Sequence, residues 1–104
     1  MIEINMFYDL LPGVDQKVYL EWARRAIGIT LKQPGLIELS SHLRLYGTPT
    51  IRATTRWQSL VDWARYAEGA WLPLEAELQI ITTNQRNEFW GASPVIPEPL
   101  RPAK

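Results

Sequence analysis

The chain has 104 residues, enough for one domain with a modest core. Its 11 basic and 11 acidic residues cancel, which leaves no charge excess to recommend a nucleic acid as partner, and 46% apolar content is ordinary for a globular chain. The absence of cysteine excludes disulfides, thiolate metal sites and cysteine nucleophiles, and no apolar run approaches the roughly 20 residues that a membrane helix needs.

The N-terminus, MIEINMFYDLLPG, has no basic segment ahead of an apolar one, so it does not read as a signal peptide. The expectation is a cytoplasmic protein with no nucleic-acid or membrane partner. Ile2, Ile4, Met6 and Tyr8 alternate with Glu3, Asn5 and Phe7, which predicts a first strand over 2–8. Leu11-Pro12-Gly13 is a turn. Asp15 can cap the next segment, where Val18, Tyr19, Trp22, Ala23, Ala26, Ile27 and Leu31 recur at helical spacing, predicting an amphipathic helix over 15–32. Gly28 within it costs about 1 kcal/mol relative to alanine and hints at close packing against a strand.

Gln33-Pro34-Gly35 stops that helix, and 36–46 reads as a second strand. Ile37, Leu39, Ser41, Leu43 and Leu45 share one face; Glu38, Ser40, His42 and Arg44 share the other. Gly47-Thr48-Pro49 makes a hairpin turn into a third strand, 50–57. The corner Trp57-Gln58-Ser59 leads to a helix that Ser59 and Asp62 would cap reciprocally. Leu60, Trp63, Ala64 and Ala67 point inward; Gly69 interrupts; Pro73 suits the first turn of a second helical piece, whose stripe continues through Leu74, Leu78 and Ile81. A fourth strand over 84–90 completes a domain of residues 1–91, and 92–104 is a proline-rich extended tail.

The order β-α-β-β-α-β predicts an α+β, ferredoxin-like fold: a four-stranded antiparallel sheet with two helices on one face. The other face would carry Glu3, Asn5, Phe7, Glu38, His42, Arg44, Arg52 and Arg56. A homodimer that stacks two such faces is the economical way to cover it.

These residues resemble a family. Pro34-Gly35 before the second strand, the Trp57-Gln58-Ser59 corner, the pair Asp62-Trp63 and a second apolar helix are similar to the dimeric α/β-barrel superfamily, and within it to the antibiotic-biosynthesis monooxygenase-like domains. The resemblance spans about residues 2–90 and contains no catalytic signature. It implies a dimeric barrel with a pocket between helices and sheet, lined by Trp57, and in the enzymes cofactor-independent oxygenation of aromatic or quinone-like compounds. Haem-degrading members use a histidine on the second helix and an asparagine on the first strand. The second-helix position holds Glu75, and the first-strand position falls to Met6 in the best alignment or to Asn5 after a one-residue slip of register, so haem degradation is not expected.

His42 is the only histidine and the one candidate general base of that type; its competing role is a paired polar residue beside Glu38. Trp22, Trp57 and Trp63 either fill a core or wall a flat apolar pocket, with Tyr8, Ser41 and Thr55 as its polar groups. Arg52, Arg56 and Arg86 either bind an acidic ligand in the barrel or pair across strands with Glu3, Glu38 and Glu88, and the Glu75/Glu77 pair reads as solvent-facing. Neither a metal site nor a cofactor motif is present. Two readings follow: a small enzyme with a cavity under Trp57 for an aromatic ligand, or a non-catalytic barrel that binds a small ligand or simply assembles.

Overall fold

Alternation in the first segment becomes a strand paired on both sides. In the computed structural model, which describes residues 1–103, β1 (Ile2–Leu10) is followed by α1 (Gln16–Thr30), β2 (Leu36–Leu43), β3 (Ile51–Trp57), α2 (Leu60–Glu68), α3 (Trp71–Ile81) and β4 (Thr82–Gly91). The sheet is four-stranded and antiparallel, in the order β2-β3-β1-β4. This is the ferredoxin-like arrangement. In register, Ile4 lies opposite Thr55, Met6 opposite Ala53 and Asn87, and Tyr8 opposite Ile51. Met6 therefore faces the helices and Asn5 the open side.

Several boundaries move for local reasons. Asp15 caps α1 by accepting from the Lys17 amide at 2.9 Å, and the helix proper ends at Thr30, two residues before the sequence-based limit. The segment β2 stops at Leu43, because Gly47 turns with φ +82° and Pro49 has no amide to donate; the last rung is Arg44 N–H to Thr50 C=O at 2.9 Å. Leu45 and Tyr46, read as strand, lie exposed in the turn. At the other end β4 starts directly from α3, with the Thr82 hydroxyl donating to Leu78 C=O at 2.7 Å.

Ser59 caps α2 as its position promises. Its Oγ accepts from the Asp62 amide at 3.2 Å and donates to the Asp62 carboxylate at 2.9 Å. Gly35 sits against this corner with φ +85°, and a Cβ there would collide with the Asp62 side chain. Gln58 N–H also bonds Gly35 C=O at 2.8 Å. The Pro34-Gly35 turn and the Trp57–Trp63 corner are thus one packed unit. Gly28, by contrast, has open space where its Cβ would be, so it marks no close approach.

The core is Ile4, Tyr8, Trp22, Ala26, Trp57, Tyr66, Trp71, Leu74 and Leu78. Tyr66 and Trp71 were not in the sequence-read stripe, whereas Leu60, which was, is exposed. The residues 92–103 beyond β4 contain no helix or strand.

Candidate functional site

A cavity of about 430 Å³ lies between the helices and the sheet. That falls within the range of small-molecule pockets, roughly 300–1,000 Å³. All four strands contribute floor: Ile4, Met6 and Tyr8 from β1, Leu39 and Ser41 from β2, Ala53 and Thr55 from β3, and Asn87 from β4. The small Ala53 and Thr55 leave the space that a larger floor would occupy. The helices supply walls of Tyr19, Trp22 and Ile27 from α1 with Leu31 just past its end, Trp63 and Tyr66 from α2, and Trp71 and Glu75 from α3. Ile27 and Leu31 read as buried from helical spacing, yet they are exposed here because they border an open cavity rather than packed atoms.

Aromatic contacts fix the walls. Tyr19 stacks on Trp22 with centroids 6.2 Å apart, and Trp22 meets Trp71 edge-on at 6.0 Å. The Trp22 indole N–H donates to Leu74 C=O at 2.9 Å, pinning α1 to α3. Trp63 meets Phe89 edge-on at 4.9 Å. Such pairs add stability beyond burial and restrict ring motion.

Polar groups around the space are few, and the phenols among them are already engaged. The Tyr8 and Tyr19 hydroxyls share a hydrogen bond of 2.7 Å, and those of Thr30 and Tyr66 one of 2.8 Å. Burial first, and then the bond to Tyr19, hold the Tyr8 phenol protonated far above its ordinary range; burial also raises Tyr19 and Tyr66. These three phenols are neutral at physiological pH and act as dipoles, not bases. The Glu75 carboxylate accepts from the Trp71 indole N–H at 2.6 Å and from Gln79 at 3.3 Å. It is the one acidic group on the cavity wall, which has no lysine, arginine or histidine among the described residues.

Of the pocket residues expected from sequence, Tyr8, Trp22, Ser41, Thr55 and Trp63 border the cavity. Trp57 does not. It is fully buried, packed on Tyr66 at 5.1 Å, with its indole N–H donating to Thr55 Oγ1 at 2.7 Å. The strand pattern gives its face correctly, but its ring wedges between α2 and the sheet instead of reaching the open space. His42 lies on the opposite side of the sheet, in a recess of about 310 Å³ shared with Glu3, Arg52 and Trp90. Its face precludes a role in the cavity, and Glu38 pairs with Arg56 at 2.9 Å rather than with His42. Glu75, read from sequence as solvent-facing, is the residue missed; its spacing of four from Trp71 puts both on one helix face.

A single helical layer over a four-stranded sheet, enclosing an aromatic-walled cavity, defines the class of protein. Solved structures share this architecture. One is SnoaB, a cofactor-independent oxygenase from Streptomyces nogalater, at 14% identity and TM-score 0.75 over 93% of this chain and 97% of that one. Another is an antibiotic biosynthesis monooxygenase, at 12% identity and TM-score 0.76 over 90% of this chain and 100% of that one. A third is a dimeric protein of unknown function and ferredoxin-like fold from Bacteroides fragilis NCTC 9343, at 14% identity and TM-score 0.66 over 86% and 93%. No family model and no curated protein matches the chain. At these identities the likeness is one of fold.

Proposed function

We propose that the chain binds a flat aromatic or quinone-like small molecule in the cavity and, as a homodimer, oxidises it without a cofactor in the manner of a monooxygenase. The observation that carries this reading is the open space between tryptophan and tyrosine walls, which the core side chains leave unfilled. A cofactor-independent oxygenation asks little of the protein. The substrate must form a stabilised carbanion that reacts with dioxygen itself; the protein binds it, accepts its proton and excludes water. In such a step a CH₂ flanked by aryl groups becomes a carbonyl, and the second oxygen atom leaves as water with both hydrogens. Glu75 is the group on the wall that can accept a proton.

The open sheet face supports the homodimer. Phe7, with Arg86 stacked 4.2 Å over its ring, and the half-exposed Trp90 lie there among pairs of both signs, Arg56–Glu38 and Arg86–Glu88. A face of this mixture complements a copy of itself.

The test titrates the protein with a panel of phenols, hydroquinones and anthrones while following tryptophan emission and dissolved oxygen. The proposal expects saturable quenching and oxygen uptake above the protein-free rate for at least one compound. Saturable quenching without uptake would favour the second reading, a non-catalytic ligand-binding domain. That reading draws its support from the neutral tyrosines and from the distance of His42 from the cavity.

A further inference from the structure

The cavity wall combines aromatic faces with one carboxylate and no cation. Trp71 and Glu75 are one helical turn apart, and the indole N–H to carboxylate bond of 2.6 Å aligns the acid at the edge of the ring. The partners of Glu75 inside the protein, Trp71 and Gln79, are both neutral. Arg25 on α1 is committed elsewhere, in a two-bond pair with Glu77 at 2.9 and 3.0 Å. Glu75 is half-buried, so water completes its solvation while the cavity is open.

An occupant that fills the cavity displaces that water. A carboxylate stripped of water needs a donor in its place, and a charged donor compensates it best. A second negative charge would be repelled. The same cavity is lined by Tyr19, Trp22 and Trp71, and an aromatic face attracts a cation that lies over it.

We infer that the cavity selects an aromatic compound bearing a protonated amine, with the ammonium group on Glu75 and the rings between the tryptophan and tyrosine walls. This rests on the reading of the cavity as a ligand site, names the class of compound that it takes, and gives Glu75 the part of counter-ion in place of proton acceptor.

The test uses three probes of one shape: 2-naphthylmethylammonium, 2-naphthylmethanol and 2-naphthoate. Each is titrated into the full-length protein at neutral pH, with affinity read by calorimetry. The expected order is ammonium over alcohol over carboxylate, with roughly tenfold between the first two. In Glu75→Gln, which keeps an acceptor for Trp71 and sits at a half-exposed position, the ammonium should lose that advantage while the alcohol binds as before. An ammonium that binds no better than the alcohol in the unmodified protein overturns the inference but leaves the ligand site standing. An advantage that persists in Glu75→Gln overturns the role of Glu75. No binding of any probe overturns the ligand-site reading itself.

Discussion

Trp57 shows what one residue holds together at the end of β3. It has no exposed surface, its ring lies on Tyr66, and Tyr66 in turn bonds Thr30 on α1. Trp57→Ala should therefore cost about 3–5 kcal/mol in urea unfolding. Trp63→Ala removes a half-buried ring from the cavity wall, so it should cost less stability and more ligand affinity. Comparable stability losses in the two variants would mean that both rings are core. The buried phenols make a separate prediction. In the unfolded chain Tyr8 ionises near its ordinary value of 10, whereas burial keeps it protonated in the folded state. A folded pKa raised in this way gives stability that is complete below pH 10 and lost as pH rises beyond it, at no more than about 1.4 kcal/mol per pH unit for this group. Unfolding measured between pH 9.5 and 11.5 should show the decline, and Tyr8→Phe should make it shallower. The Glu75 carboxylate was legible as a residue, but spacing alone did not make it part of a site. Read with Glu77, it belongs to a solvated pair; the family resemblance sets it at a functional position of the second helix, and Trp71, absent from the predicted stripe, shows its face.

Among the elements, the alternation of strands was readable because each inward face is a run of period two, and the β1–β3 register keeps it from Ile2 opposite Trp57 to Tyr8 opposite Ile51, whereas a shift between Leu36 and Glu38 leaves Ile37, expected on the inward face, exposed. The phase of α1 was readable, since Tyr19, Trp22, Ala23 and Ala26 pack inward as their spacing implies. In α2 the stripe took Leu60 in place of Tyr66, and beyond the break at Gly69 it missed Trp71. Helical spacing also cannot distinguish a side chain packed on core atoms from one that borders a void, which is why Ile27 and Leu31 were misjudged. The cavity depends on how two helices sit above four strands, a property that no single segment encodes. Where sequence did mark tertiary structure was the corner. Gly35 is confined by its positive φ and by Asp62. Gly35→Ala should destabilise the fold by about 1–3 kcal/mol through backbone strain plus collision. Combined with Asp62→Gly, which removes the Cβ, Cγ and Oδ2 that the new methyl would meet, it should cost less than the two single changes added together. Additive losses would show that backbone conformation alone sets the demand for glycine.

For the whole molecule, the radius of gyration is 15.2 Å, against about 13 Å expected for a compact chain of 100 residues. The excess is consistent with the exposed segment after Gly91, where Val95 and Leu100 are exposed. Truncation after Ser93 should leave the unfolding free energy of the isolated subunit within about 0.5 kcal/mol, measured in urea at low concentration. A larger loss would show that the tail is packed on the domain. If the assembly is a homodimer, light scattering should give twice the 12.0 kDa chain mass, and truncation then reports separately on whether the tail braces the pair. The five tryptophans divide among three surroundings: Trp57 sealed in the interior, Trp22, Trp63 and Trp71 around the cavity, and Trp90 on the open sheet face. That partition gives the protein three intrinsic optical labels. With single tryptophan-to-phenylalanine changes, emission from one chain can follow unfolding, occupancy of the cavity and burial of the sheet face as distinct signals, with no dye attached.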